Sequence, residues 1–289
     1  MSLKNQNDLY PTARATPDAL GLGRTAGQRS AELIAGLRAE LDPSPQNRAL
    51  TRRSSHLIAS IVMRMVREKW MLNHIVTRAG AMTELVRRAI PADADAVTIV
   101  EIGAGFSARG LLLAHALPRV QFIEIDLPDV IAEKQKRLQR SSLITIPANL
   151  SWIGADLGAQ ALGDVLGAQK VHVVIAEGLN PYFAPANITQ IAARIRENLL
   201  PGGVYLCDIA LEEGKRRADQ AASQFFSRQA GAFLGIARDE HEARLWLLDA
   251  GYAQVSMHRI TAMAQELGLP MPVLDLSILI AAQMGEVAV

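Results

Sequence analysis

Each thing this sequence is short of removes a class of protein. It holds a single cysteine, Cys207, so no disulfide can form within the chain. The opening stretch MSLKNQNDLY has neither the basic nor the apolar region of a secretory signal, and together with the lone cysteine this points to the cytoplasm. Long apolar runs are missing too. Nothing approaches the roughly 20 residues needed to cross a bilayer, and the strongest run, VLDLSILIAA, is interrupted by Asp275, so no membrane span is expected. Net charge is only +1, too little for a dedicated nucleic-acid binder. That charge is uneven: residues 1–90 hold 14 Lys/Arg against 7 Asp/Glu, and residues 91–289 hold 16 against 22. The basic first third reads either as a cationic cap above an anionic substrate or as solvated helix faces.

What is present is enough for a full core, since 49% of the 289 residues are hydrophobic. The first 50 residues mix small polar, Pro and Gly residues around one helical stretch near 28–41. From SSHLIASIVMRMVREKW onward, Leu57, Ile58, Ile61, Val62, Met65 and Val66 recur at helical spacing, which predicts an amphipathic helix with those residues inward. A second helix is expected over about 73–90, ending at Pro91. From residue 97 the chain alternates short β-branched runs with helical segments, the pattern of a parallel sheet with crossover helices. Strands are read at VTIVEI, VQFIEI, LSWIG, VHVVIAE, GVYLCDI, AQVSMHR and LDLSILIA. Helices are read at about 107–117, 128–140, 156–167, 185–199 and 239–250. The last two strands have no convincing crossover helix between them, so an antiparallel partner is expected there. The fold class is therefore α/β, a doubly wound, seven-stranded, mostly parallel Rossmann-like sheet of the class I methyltransferase shape. Residues 1–90 form an N-terminal helical cap and residues 91–289 the sheet domain.

Chemistry concentrates at the strand ends. VEIGAGFSARG puts Gly103, Ala104 and Gly105 directly after the first strand, where glycines let a backbone approach a ligand closely. The dinucleotide fingerprint would need a third glycine where Ala108 stands, which weakens NAD. Glu-x-Gly-x-Gly, here Glu101, Gly103 and Gly105, is the usual opening of an S-adenosylmethionine (SAM) site. The second strand ends in FIEIDLP, so Asp126, followed by Leu127, lies 21 residues beyond Gly105 and can accept from both ribose hydroxyls. Glu124 points to the same face from deeper in the strand. After the third strand, Asp156 and Leu157 can meet an adenine, or Asp156 can cap the next helix.

At this point the chain resembles the leucine carboxyl methyltransferase family, which includes polyketide O-methyltransferases of the tetracenomycin type. The likeness covers roughly residues 70–210 and rests on NHIVTRAGAMTELV, VEIGAGFSARG, QFIEIDLPDVIAEKQKRL and GADL…VIAEGLNPYF in that order. The resemblance implies a SAM cofactor and several roles. Arg78 meets the carboxylate of the methionine end, Asp126 the ribose, Asp156 and Leu157 the adenine, and Glu177, followed by Gly178, the SAM ammonium. A guanidinium can grip a carboxylate bidentately and a carboxylate can accept from an ammonium, which agrees with the first and last of these. Ser107 and Ala108 replace an Asp-Thr pair common in relatives, which puts in question how the loop is braced and what partners Arg109.

EGLNPYF also resembles the Asn-Pro-Pro-Tyr loop of amino-methylating enzymes, but Asn180 starts three residues too late and one proline is missing. The stretch reads instead as cofactor clamp, then acceptor wall, with Tyr182 and Phe183 toward the methyl and the substrate. Methyl transfer is an in-line displacement. A carboxylate nucleophile is ionised at pH 7, whereas a phenol profits from a base. Among six histidines, His74, one helical turn from Arg78, and His241, at a helix start, are ranked ahead of His56, His115, His172 and His258. No magnesium site is expected, because Asp208 is isolated. Phe225, Phe226 and Phe233 line an apolar acceptor pocket or simply pack. The expected activity is a SAM-dependent O-methyltransferase acting on a carboxylate or phenolic hydroxyl of a small, polyketide-like natural product, with a homodimer left open. The alternatives are a protein C-terminal carboxyl methyltransferase or a SAM-binding module without turnover.

Overall fold

The computed structural model describes residues 26–65, 69–167, 169–217 and 233–285. Phe225 and Phe226 lie outside them. The β-branched runs form strands β1 (Val97–Ile102), β2 (Val120–Asp126), β3 (Leu150–Gly154), β4 (Val171–Ala176) and β5 (Leu199–Leu211). A two-residue strand, β6 (Ile236–Ala237), precedes β7 (Gln254–Arg259) and β8 (Ser277–Gln283). The strand order is β3-β2-β1-β4-β5-β8-β7, with β6 beside the end of β5. The pairs among β1 to β5 are parallel, and β8 runs antiparallel to both β5 and β7. This is the mostly parallel, doubly wound sheet read from the sequence, with the short β6 as an addition.

Among the described residues, four helices precede the sheet: α1 (Ala26–Leu41), α2 (Pro45–Leu50), α3 (Arg53–Met65) and α4 (Lys69–Arg88). The helix α2 falls in a stretch read as irregular. Ser44 caps it by accepting from Asn47 N, and Pro45 starts it, where a missing N–H costs nothing. The crossover helices are α5 (Arg109–Ala116), α6 (Pro128–Arg140), α7 (Leu162–Val165) and α8 (Pro185–Arg196), followed by α9 (Glu212–Arg217), α10 (Glu240–Asp249) and α11 (Ile260–Leu267). One layer of the core lies between the sheet and α8 and α10, through Ile188, Ile191, Trp246 and Leu247. The other lies under α4, α5, α6 and α11, through Met82, Leu113, Leu138 and Met263.

Three expectations change. The helix read over 156–167 shrinks to α7, because Asp156 Oδ1 accepts from Gly158 N at 2.9 Å and closes a turn instead of starting a helix. The link between the last two strands carries α11, which ends at Gly268 in the left-handed conformation (φ 65). The inward face of α3 is not the expected one. Leu57, Ile58 and Ile61 are 65%, 41% and 49% exposed, while Ser55, Ala59 and Val62 face α1. The cause is a close crossing. A Cβ on Gly36 of α1 would lie 2.5 Å from Ser55 O, so the contact admits only small side chains and turns the large apolar ones outward.

Candidate cofactor site

The carboxyl ends of β1, β2, β4 and β5 gather the residues the sequence singled out. After β1, Gly103 and Gly105 take positive φ (64 and 48), a conformation that strains residues with a Cβ. Gly103 N and Ala104 N donate to Ile125 O at 2.9 and 3.3 Å, and Ser107 N donates to Ala104 O at 3.0 Å. The Ser107 hydroxyl accepts from Arg109 N at 3.2 Å. The loop is thus braced by its own backbone and by Ser107. Asp126, at the tip of β2, accepts from Gly105 N and Leu127 N, one on each oxygen, both at 2.7 Å. Burial pushes its pKa upward against the pull of these two N–H groups.

Glu124 is fully buried, pairs with the buried Lys134 at 2.7 Å and accepts from Trp152 Nε1 at 2.6 Å. A Cβ on Gly110 would overlap its carboxylate, which explains the glycine after Arg109 and the lysine in α6. Asp156 and Leu157 lie in the turn after β3, with Leu157 packed on the core.

At the methionine end expected from the sequence, six buried or half-buried charges from different elements meet. Glu177 accepts from Arg38 Nη2 at 2.9 Å and Arg78 Nε at 3.3 Å, and also pairs with Arg109. Arg109 pairs with Glu101, and its Nε donates to Thr83 Oγ1 at 3.1 Å. The strand register sets Asp208 beside Glu177, because Cys207 of β5 pairs with Ala176 of β4. Asp208 accepts from Arg78 Nη1 at 3.0 Å and from Gly178 N at 2.6 Å. Gly178 has φ 71, and a Cβ there would approach the Arg78 guanidinium to 3.1 Å.

The electrostatics follow from these contacts. Burial alone would raise the Glu177 pKa, but Arg109, Arg38 and Arg78 outweigh it and hold the carboxylate well below its usual range. Burial opposes the Arg78 charge, and Asp208 and Glu177 outweigh that in turn. Glu101 is pushed upward by burial against the pull of Arg109. Arg78 and Arg109 each have an acid besides Glu177, namely Asp208 and Glu101. Among the described residues Arg38 pairs with Glu177 alone, and its buried Nε has no hydrogen-bond partner there.

Of the proposed bases, His74 is buried in α4 beside Arg78, with Nδ1 3.3 Å from Leu274 O. Burial, and then Arg78, lower its pKa to about 3. His241 is exposed near the start of α10, in a surface cleft with Arg216, Arg238 and Arg259. Tyr182 lies in a 3₁₀ turn (Asn180–Tyr182), its ring centroid 5.6 Å from that of Phe233. Asn180 is buried and donates to Asp208 O at 3.2 Å. No group of three or more His, Cys, Asp or Glu side chains suited to a metal occurs among the described residues. Sequence reasoning missed Arg38, which lies in a segment without a motif, and read Asp208 as isolated because its partners are far away in the chain.

The profile of the leucine carboxyl methyltransferase family matches residues 37–196, more than half of the chain. The chain belongs to the leucine carboxyl methyltransferase family. That match begins one residue before Arg38 and takes in the loop, Asp126, Asp156 and Glu177. The tetracenomycin polyketide synthesis O-methyltransferase TcmP of Streptomyces glaucescens is 29% identical over 138 residues, 47% of this chain and 48% of that protein. The chain therefore matches about half the length of that curated relative. In fold it is similar to an O-methyltransferase family protein from Burkholderia thailandensis (TM-score 0.50, 14% identity, 75% of this chain and 60% of that one). It is also similar to human N-acetylserotonin methyltransferase in complex with SAM (TM-score 0.50, 16% identity, 91% of this chain and 68% of that one). These last two likenesses place the family member among methyltransferase folds.

Proposed function

We propose that this chain is a SAM-dependent O-methyltransferase whose acceptor is a carboxylate or phenolic hydroxyl of a small, polyketide-like natural product. The observation that carries the cofactor is Asp126. Each of its oxygens takes one backbone N–H, so acceptor capacity remains on both for the paired hydroxyls of a ribose. The charge cluster fits the amino-acid end of the same molecule. Glu177 can accept from an ammonium, and Arg78 or the unsaturated Arg38 can donate to a carboxylate. Asp156 and Leu157 stand at the edge where adenine would lie. SAM supplies a methyl group on a sulfonium, already activated toward a nucleophile.

The chain's own task is then to hold the acceptor in line and keep water out. Tyr182 and Phe233 begin the acceptor wall in this reading. All six histidines fall within the described residues, and His74 is the one beside Arg78. His74 is neutral above pH of about 3, and His241 is exposed. That favours a carboxylate acceptor, which needs no base at pH 7. The relative's role in tetracenomycin polyketide synthesis supports a small natural-product acceptor. Incubation with methyl-labelled SAM and a panel of aromatic polyketide acids should yield a labelled product that releases labelled methanol in mild alkali, as a methyl ester does. A label stable to alkali would assign the phenol instead, and label on peptide C-termini would move the acceptor to protein.

A further inference from the structure

The glycine loop is held from a second side, by a residue outside the site. Phe106 follows Gly105 directly and is buried. The Arg137 guanidinium lies over its ring, 3.9 Å from the centroid. Arg137 is itself buried in α6, and among the described residues every other partner of its guanidinium belongs to the cap or to its own helix. Nη1 donates to Leu50 O at 2.5 Å, Nη2 pairs with Glu32 of α1, and Nε pairs with Glu133 at 3.0 Å. Arg52 closes the circuit, with Nε 3.2 Å from Glu32 and Nη2 2.9 Å from Glu133. The result is a ring of alternating charge, Arg137–Glu32–Arg52–Glu133, to which Ser55 adds a 3.0 Å hydrogen bond on Glu32. One residue before Glu32, the Ala31 methyl lies 3.4 Å from where a Cβ on Gly105 would sit. The helix α1 therefore touches the loop beside the residue that fastens it.

We infer that Arg137 is a positioning residue that couples the glycine loop to the cap, so that the loop keeps its ligand-ready shape only while α1 is docked. A planar cation can stack on a ring and fork to a carbonyl and a carboxylate at once, which a lysine cannot. Because Phe106, Leu50 of α2 and Glu32 of α1 share that one guanidinium, displacement of α1 withdraws the Glu32 anchor and loosens the stack on the ring. The loop amide that meets Asp126, Gly105 N, then loses its outer support. Coupling of this kind is reciprocal, so a ligand on the loop tightens the cap as well.

The inference deepens the cofactor reading above and rests on it for the choice of ligand. Titration calorimetry with S-adenosylhomocysteine reports affinity and stoichiometry separately, and hydrogen exchange reports the loop without any ligand. Arg137→Met and Glu32→Gln are expected to raise Kd about tenfold or more at unchanged stoichiometry. Arg137→Lys, which keeps the charge but not the fork or the stack, should fall between them and the unaltered chain. In the ligand-free Arg137→Met chain, exchange of segment 103–111 should quicken about tenfold or more while β2 keeps its protection. Unchanged Kd with lowered stoichiometry would mark Arg137 as merely structural and overturn the inference, as would unchanged exchange of 103–111. If the unaltered chain takes up no S-adenosylhomocysteine, the cofactor reading falls and the exchange result alone decides the coupling. Should Arg137→Met not fold, Arg137→Lys and Glu32→Gln carry the same comparison.

Discussion

Single residues at this site are defined by what surrounds them. His74 shows it most clearly: burial and the neighbouring Arg78 bring its pKa from 6.5 to about 3. Between those values the unfolded chain binds a proton that the folded chain does not, so the free energy of unfolding rises with pH across that window and is lost as pH falls from 6.5 toward 3. The slope from this one group reaches about 1.4 kcal/mol per pH unit. The substitution His74→Asn keeps a donor toward Leu274 O and removes the titration. It should flatten the fall in stability between pH 7 and pH 5, measured by urea unfolding at each pH, and an unaltered slope would refute that origin. Asp126 was legible at this scale because its partners are close at hand, Leu127 next in sequence and Gly105 in the adjoining strand–loop unit.

Elements obey spacing rules that a single sequence exposes only in part. The strands were readable because β-branched runs announce themselves, and β8 is antiparallel as read although the link before it carries α11. The buried face of α3 could not be read from periodicity. Of its large apolar residues, Val62 does face inward, yet the close approach of α1 at Gly36 selects the side bearing Ser55 and Ala59 and leaves Leu57, Ile58 and Ile61 exposed. Gly36→Ala drives a methyl against the Ser55 carbonyl and should cost about 1–3 kcal/mol. Thermal unfolding checks this, and a change under about 0.5 kcal/mol would mean that the crossing yields easily. Helix α7 is short for a related reason: a side chain–backbone bond at Asp156 competes with helix formation, and a propensity count does not see it.

At the scale of the whole molecule, the six-charge cluster joins α1, α4, α5 and the ends of β1, β4 and β5. Its longest links, Arg38 to Glu177 and Arg78 to Asp208, span 139 and 130 residues, and no local motif can announce such pairs. Arg78, Glu101 and Glu177 could be named singly from the sequence and its resemblance, whereas Arg38 and the long-range pairing that joins them could not. The expected division at residue 90 is also crossed by these contacts, and we propose that cap and sheet unfold together. Arg109→Leu leaves Glu101 without its paired cation and Glu177 with one fewer. It should cost about 3–5 kcal/mol in one cooperative transition. A loss below about 1 kcal/mol, or separate transitions for cap and sheet, would contradict that account.

The central claim is that the loop and acid at the ends of β1 and β2 hold SAM. Calorimetric titration of the full chain with SAM, beside NAD and beside Asp126→Ala, tests it most directly. The account predicts saturable binding of one SAM per chain, no heat with NAD, and an affinity about ten- to a hundredfold weaker in Asp126→Ala, as expected for losing one charged hydrogen-bond acceptor. Binding of NAD in place of SAM, or an Asp126→Ala chain that holds SAM as tightly as the original, would contradict it.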